Sequence, residues 1–316
     1  MPRVADFGEY GGVGQWWKWQ EIADFCRSVG VFGLGFRRKF EYRLVRHNAV
    51  KYLVNNNHVA INSFIGGLFN MSLRKPFLRI MRPMLSGRDF LFHEYILDNR
   101  YANDTSLLCR SYELIINDLK RLFEFIEPSD DNLKTYSHRT FELLLRAATE
   151  FETNCKRILE ANGYSKSGNL NILDYYKINS SSKLSEYKVI LEIWRPDRKE
   201  IHPFANWNSG THELKWYKAY NNAKHDRHLN FSDASLHSVL EAIAGLFVIL
   251  FSQFGINTFN PYQVVDTYTG DDDGAIFTNE SIFRIKIPET WTSDELYDFD
   301  WKTLKKQSDP FDQFCF

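Results

Sequence analysis

Cysteine is scarce in this chain: four residues in 316, Cys26, Cys109, Cys155 and Cys315, with no CxxC pair among them. A thiolate zinc site or a disulfide framework needs closer spacing, so neither is expected, and a reducing compartment fits. Net charge is nearly absent too, at −1 with a pI of about 6.8, so the whole chain is not a polyanion binder by charge alone. No uninterrupted run reaches the roughly 18 apolar residues of a membrane span. The most apolar stretch, residues 239–251, carries Glu241. The first residues, MPRVADFGEYGG, lack the basic-then-apolar order of a secretory signal. The expectation is a cytoplasmic protein with no membrane partner.

Several chemical signatures are missing as well. No GxSxG elbow occurs, and residues 30–36 (GVFGLGF) lack the GxGxxG spacing of a dinucleotide loop. No cluster of His, Cys and carboxylates has ligand spacing, so no metal and no cofactor is expected. Positions 269–280 copy parts of a calcium loop through Thr269, Asp271, Asp273, Gly274, Ile276 and Glu280. Thr269 takes the place of the first carboxylate and the flanks read as strands, so an acidic turn is expected there.

What the chain does have is an ordinary globular composition, 44% hydrophobic and 25% charged, with 26 Phe. That excludes a wholly disordered or collagen-like chain. Charge is segregated: residues 1–100 hold 15 Lys and Arg against 8 Asp and Glu, and residues 260–316 hold 5 against 12. The basic head and acidic tail either attract each other or leave the head to meet a polyanion. In the head, Lys39, Arg43 and Arg46 fall on one helical face, and Trp16, Trp17 and Trp19 offer a core anchor or a stacking surface.

Helical periodicity begins near residue 107. Spacing predicts a helix over 107–126 and a second over 133–162, capped by Asn132 and stopped by Gly163. A short apolar run at 187–194 fits either strand or helix. A third long helix is expected over 211–228. A fourth, capped by Ser232 and stopped by Gly255, is apolar nearly all round and belongs inside a bundle. Strands at 263–268 and 281–287 suggest a hairpin. Three regions result: a basic, mixed head of unknown role (1–106), a helical bundle (107–258), and an acidic hairpin with an aromatic tail (259–316). The fold class expected is mainly α.

The segment WYKAYNNAKHDRH, residues 216–228, carries the most chemistry. On a continuous helix Asn221, His225 and His228 fall at i, i+4 and i+7 and share a face, with Lys224 beside them. Trp216, Ala219, Tyr220 and Ala223 face the core. Such a stripe fits a solvated helix edge. It equally fits a phosphodiester site, with Lys224 or Arg227 neutralising phosphate and His225 moving a proton near neutral pH.

The two parts FELLLRAATEFETNCK (141–156) and YNNAKH (220–225) resemble the HEPN domain, an all-helical bundle of prokaryotic toxin and anti-phage proteins. The likeness spans residues 107–255. Asn221 and His225 match the polar and His marks of the Arg-polar-x3-His signature, and Tyr220 stands in the place of its Arg. The resemblance implies a metal-independent ribonuclease in which the ribose 2′-OH attacks the adjacent phosphorus, and a homodimer that pools two motifs. It implies that His225 is the acid–base residue and Asn221 its orienting partner, with Lys224, Arg227 and His228 on the substrate. Some members of that family are inactive, so the alternative is an interaction or dimerisation module that binds a protein partner, trigger or nucleotide.

Overall fold

The computed structural model describes residues 74–85, 94–255, 276–277 and 282–316. The basic face at 39–46, the tryptophans at 16–19, the strand expected at 263–268 and most of the acidic turn lie outside those residues.

The described residues are mainly helical. Helix α1 (Thr105–Leu122) buries Leu108, Tyr112, Ile115, Ile116, Leu119 and Leu122 on one face. Its ladder ends four residues earlier than the periodicity suggests, and the chain continues to Ile126 through single turns. Helix α2 (His138–Ala161) also starts later than expected. Asn132 closes only a 3-10 turn at Asp130–Asn132. The cap is Ser137, whose hydroxyl accepts from Thr140 N while Thr140 Oγ1 accepts from Ser137 N. This reciprocal box satisfies two otherwise orphaned amides, which Asn132 cannot reach. Gly163, at φ +75°, ends α2 as expected. The amides of Gly163 and Tyr164 reach back to the carbonyls of Glu160 and Leu159, the Schellman pattern that glycine permits.

Two short helices, α3 (Ile172–Tyr175) and α4 (Ile178–Ser182), lead into strand β1 (Lys188–Leu191) and strand β2 (Lys199–Ile201). Helix α5 (Lys215–His225) is followed by a separate turn, α6 (Arg227–Asn230). Helix α7 (Leu236–Phe254) begins at Ser235, not Ser232, because the Ser235 hydroxyl accepts from Ser238 N; Gly255 follows its last residue. Strand β3 (Ile276–Phe277), which falls in the segment expected to be an acidic turn, pairs antiparallel with β4 (Phe283–Lys286), and α8 (Trp301–Leu304) lies in the tail.

Helix α7 is the axis of the bundle, packed by α1, α2 and α5. Of its 19 residues 17 are buried, so its apolar character on every side is used for core packing. By length and hydropathy alone this helix could cross a membrane, and here it lies inside the protein. Aromatic rings seal the contacts: Tyr112 stacks on Phe247 at 5.7 Å, and Phe151 meets Trp216 edge-on at 5.1 Å.

The strands form one antiparallel sheet in the order β2-β1-β4-β3. Val189 sits opposite Ile201 on one side and Ile285 on the other, so bundle and tail share a sheet. Tyr297 ties the tail to the residues before the bundle, donating to Ile80 O at 2.7 Å and accepting from Phe77 N at 3.0 Å.

Two arginines counted in the basic head do not face solvent. Arg79 and Arg82 are buried. Arg79 pairs with Asp104 and donates to Gln253. Arg82 donates to the carbonyls of Ser181 and Glu295. Burying a guanidinium without such partners would cost several kcal/mol, so these cations are structural. Lys75 donates to the Asp309 carbonyl, which joins head to tail directly.

Candidate functional site

Helix α5 begins after Leu214 and ends at His225. Trp216, Ala219, Tyr220 and Ala223 are buried, as the apolar positions require. Lys224 and His225 are exposed, and Asn221 is half-buried. Asn221 and His225 are one turn apart on the same face, and neither side chain has a hydrogen-bond partner among the described residues.

The third member of the expected stripe is not on that helix. Asp226 leaves helical geometry at φ −141° and ψ 77°, and its carboxylate accepts from Leu229 N at 3.2 Å. An Asp that can cap a new turn outcompetes continuation of the old one. His228 therefore stands on α6 together with Arg227, and the i, i+4, i+7 face over Asn221, His225 and His228 does not form. Arg227 lies over the Phe141 ring of α2 at 5.6 Å.

Lys224 is tied to its own helix. Its Nζ donates to Tyr220 Oη at 2.9 Å and stands 5.0 Å from the centre of that ring. The Tyr220 hydroxyl holds the Lys224 ammonium above its ordinary pKa, with the Glu152 charge adding to the effect. Next to it, Tyr217 donates to Glu152 Oε1 of α2 at 2.6 Å. Burial, and then this bond, pushes the Tyr217 phenol well above its usual value. A polar seam of Glu152, Tyr217, Tyr220 and Lys224 thus joins α2 to α5. Glu150 and Glu152, two residues apart on α2, diverge as helical geometry requires. Glu150 meets Ser111 of α1 and is raised by partial burial, while Glu152 meets α5.

One grouping forms no motif in the sequence because its members come from two distant segments. Phe231, just after α6, touches Tyr136, His138 and Phe141 at ring distances of 5.6, 5.0 and 6.0 Å. Tyr136 is 50% exposed and Leu229 75% exposed, so apolar surface remains open beside Arg227. The sequence signal was present as large side chains outside the periodic core stripe. Asn222, not Asn221, makes the local amide bond, donating to Asp233 at 2.9 Å.

Burial excludes two of the described thiols, Cys109 and Cys155, from nucleophilic roles. Cys109 is pushed up to about 12 and Cys155 is raised well above its ordinary value, both chiefly by desolvation. Among the described residues no group of three or more His, Cys, Asp and Glu is arranged to hold a metal ion.

Comparisons with protein-family models, curated proteins and solved structures return no match. The site is therefore read from its own geometry.

Proposed function

We propose that this chain is an RNA-directed, HEPN-like protein whose working surface is the His225 end of α5 with α6 beside it. The observation that supports it is the His225 imidazole: exposed, on one helix face with Asn221, and free of described partners. An imidazole kept in solvent is available to move protons near neutral pH. Arg227 supplies a cation, and the exposed Tyr136 ring, with the half-buried Phe231 against it, supplies a face on which a base stacks. In the reaction proposed, the ribose 2′-oxygen attacks the adjacent phosphorus and gives up its proton. The bond to the 5′-oxygen breaks, and that oxygen leaves as a hydroxyl. The products are a 2′,3′-cyclic phosphate and a 5′-hydroxyl end. His225 is the proton carrier, Asn221 orients it, and Lys224, Arg227 and His228 meet phosphate. A second copy of the chain supplies the opposing motif. A role in anti-phage defence or toxin-type growth arrest follows from the same resemblance.

One observation favours a second reading, a non-catalytic binding module. Tyr220, in the place of the family's Arg, is buried and occupies Lys224 through its hydroxyl. The ribonuclease reading lacks that charge in the transition state, where it counts most.

The test is cleavage of an RNA pool in EDTA by the wild type and by His225→Ala, with the product ends identified. Cyclic phosphate ends that vanish in the variant are the expected result. Equal cleavage by both proteins would remove His225 from the mechanism. RNA binding without cleavage would favour the second reading.

A further inference from the structure

At the opposite end of α5 from His225 there is a cavity of about 310 Å³. Ten residues of helix separate the two ends, roughly 15 Å. The volume is at the lower end of the range for small-molecule sites, on the order of 300–1,000 Å³. Its walls come from three elements: β2 and the residues after it, the start of α5, and the first turns of α7. Ile201, Leu214 and Leu240 give it apolar sides.

Helix α7 is otherwise wholly buried. The two residues that break this rule, His237 and Glu241, both line the cavity. A central core helix thus places its two titratable residues on one concavity. The Glu241 side chain keeps only 22% of its exposure, and His237 Nε2 lies 3.8 Å from its Oε1. Among the described residues nothing donates a hydrogen bond to its carboxylate. Burial raises its pKa, which His237, Lys215 and Lys199 only partly offset. A carboxylate withdrawn from water without a donor is costly to keep, and an incoming donor relieves that cost.

The other charges sort into engaged and available. Glu200 holds His202 at 2.7 Å, and Lys199 holds Asp130 at 2.7 Å. Lys215, on the first turn of α5, has no described partner and lines the cavity. The start of α5 has no side-chain cap, and the positive end of a helix adds to the attraction for an anion there.

We propose that this cavity binds a small ligand that presents paired N–H donors to Glu241 and an anionic group to Lys215. Two sources carry that chemistry: a guanine nucleotide, through N1–H and the 2-amino group with its phosphate, and free arginine, through guanidinium and carboxylate. An adenine nucleotide does not, because its ring N1 is an acceptor and would face the carboxylate lone pairs. The site is separate from the His225 surface and stands whether or not the chain cleaves RNA.

The test is calorimetric titration of the full chain with GMP, L-arginine and AMP, repeated on Glu241→Gln and Lys215→Ala. Both variants are checked for unchanged helical content and melting temperature. GMP or arginine is expected to bind, and AMP at least about tenfold more weakly than the better of the two. Glu241→Gln should weaken that ligand by about tenfold or more, the worth of a charge-assisted hydrogen bond. Lys215→Ala should weaken it severalfold. Binding of GMP alone identifies the base, and binding of arginine alone identifies the amino acid. No binding of either overturns the proposal. So does AMP binding as tightly as the better of the two, or a folded Glu241→Gln with unchanged affinity.

Discussion

Lys224 Nζ donates to the hydroxyl of Tyr220 across 2.9 Å, so a buried phenol one helical turn back anchors the exposed ammonium. The two roles of Tyr220 separate by substitution. Tyr220→Phe keeps the buried ring and removes only an acceptor for an exposed ammonium, and should cost under about 1 kcal/mol. Tyr220→Ala empties a fully packed position and should cost about 3–5 kcal/mol. Urea unfolding of the two variants checks the difference. A Phe variant as unstable as the Ala variant would mean that the bond, not the ring, dominates.

Alkaline pH should unfold this protein through its tyrosines. Tyr95, Tyr101, Tyr175, Tyr187, Tyr217 and Tyr297 all have pKa values raised by burial. An unfolded phenol titrates near ~10. With the folded value above the unfolded one, the stabilisation is complete below pH ~10 and is lost as the pH rises past it. Phenolate absorbance followed together with circular dichroism should show these six ionising only as the helices melt. Full ionisation near pH ~10 with helix content intact would contradict their burial.

The elements that proved legible in the sequence are those fixed by local physics. Four long helices, the Gly163 and Gly255 stops and the all-apolar axis followed from spacing and capping chemistry. What the sequence did not disclose depended on competition or on distance along the chain. Asn132 and Ser232 are sound caps by residue type, but Ser137 and Ser235 offer the bonds actually used. Asp226 outcompetes helix continuation and splits the expected stripe. The roles of Arg79 and Arg82 are set by Asp104, Ser181 and Glu295, as far as 213 residues away, so a charge count could not tell solvated cations from buried ones. The cavity at Glu241 is assembled from three separated segments, and only an interruption in the apolar run of α7 hinted at it.

Arg227 should report on RNA. Its guanidinium lies over Phe141 beside the open aromatic surface. If it neutralises one phosphate, Arg227→Ala should weaken binding of single-stranded RNA without sequence preference. It should also reduce the slope of log affinity against log salt by about 0.7. His225→Ala, at an exposed position, should leave stability within about 0.5 kcal/mol of the wild type. Filter binding over a salt series gives the slope. An unchanged slope with unchanged affinity would place RNA elsewhere on the molecule or nowhere on it.

At Gly245 helix α7 comes close to Trp216 and Phe204. A Cβ there would lie 3.1 Å from Cζ2 of Trp216 and 3.4 Å from Cζ of Phe204. Both rings are buried, and Trp216 is further held by its Nε1 donating to the Pro203 carbonyl at 3.0 Å. Alanine in a helix interior normally gains up to about 1 kcal/mol over glycine. Here that gain is opposed by overpacking, typically about 1–3 kcal/mol when a packed core must shift. The rings cannot swing into solvent, so the steric cost should win and Gly245→Ala should be net destabilising by about 1 kcal/mol. Because Trp216 also lines the cavity beside Glu241, the variant should alter indole fluorescence and weaken any ligand held there. Denaturant unfolding and emission spectra measured on the same preparation test both effects. A Gly245→Ala protein more stable than the wild type would show that α7 and α5 have room to separate, and that the close contact at Trp216 is not what sets their spacing.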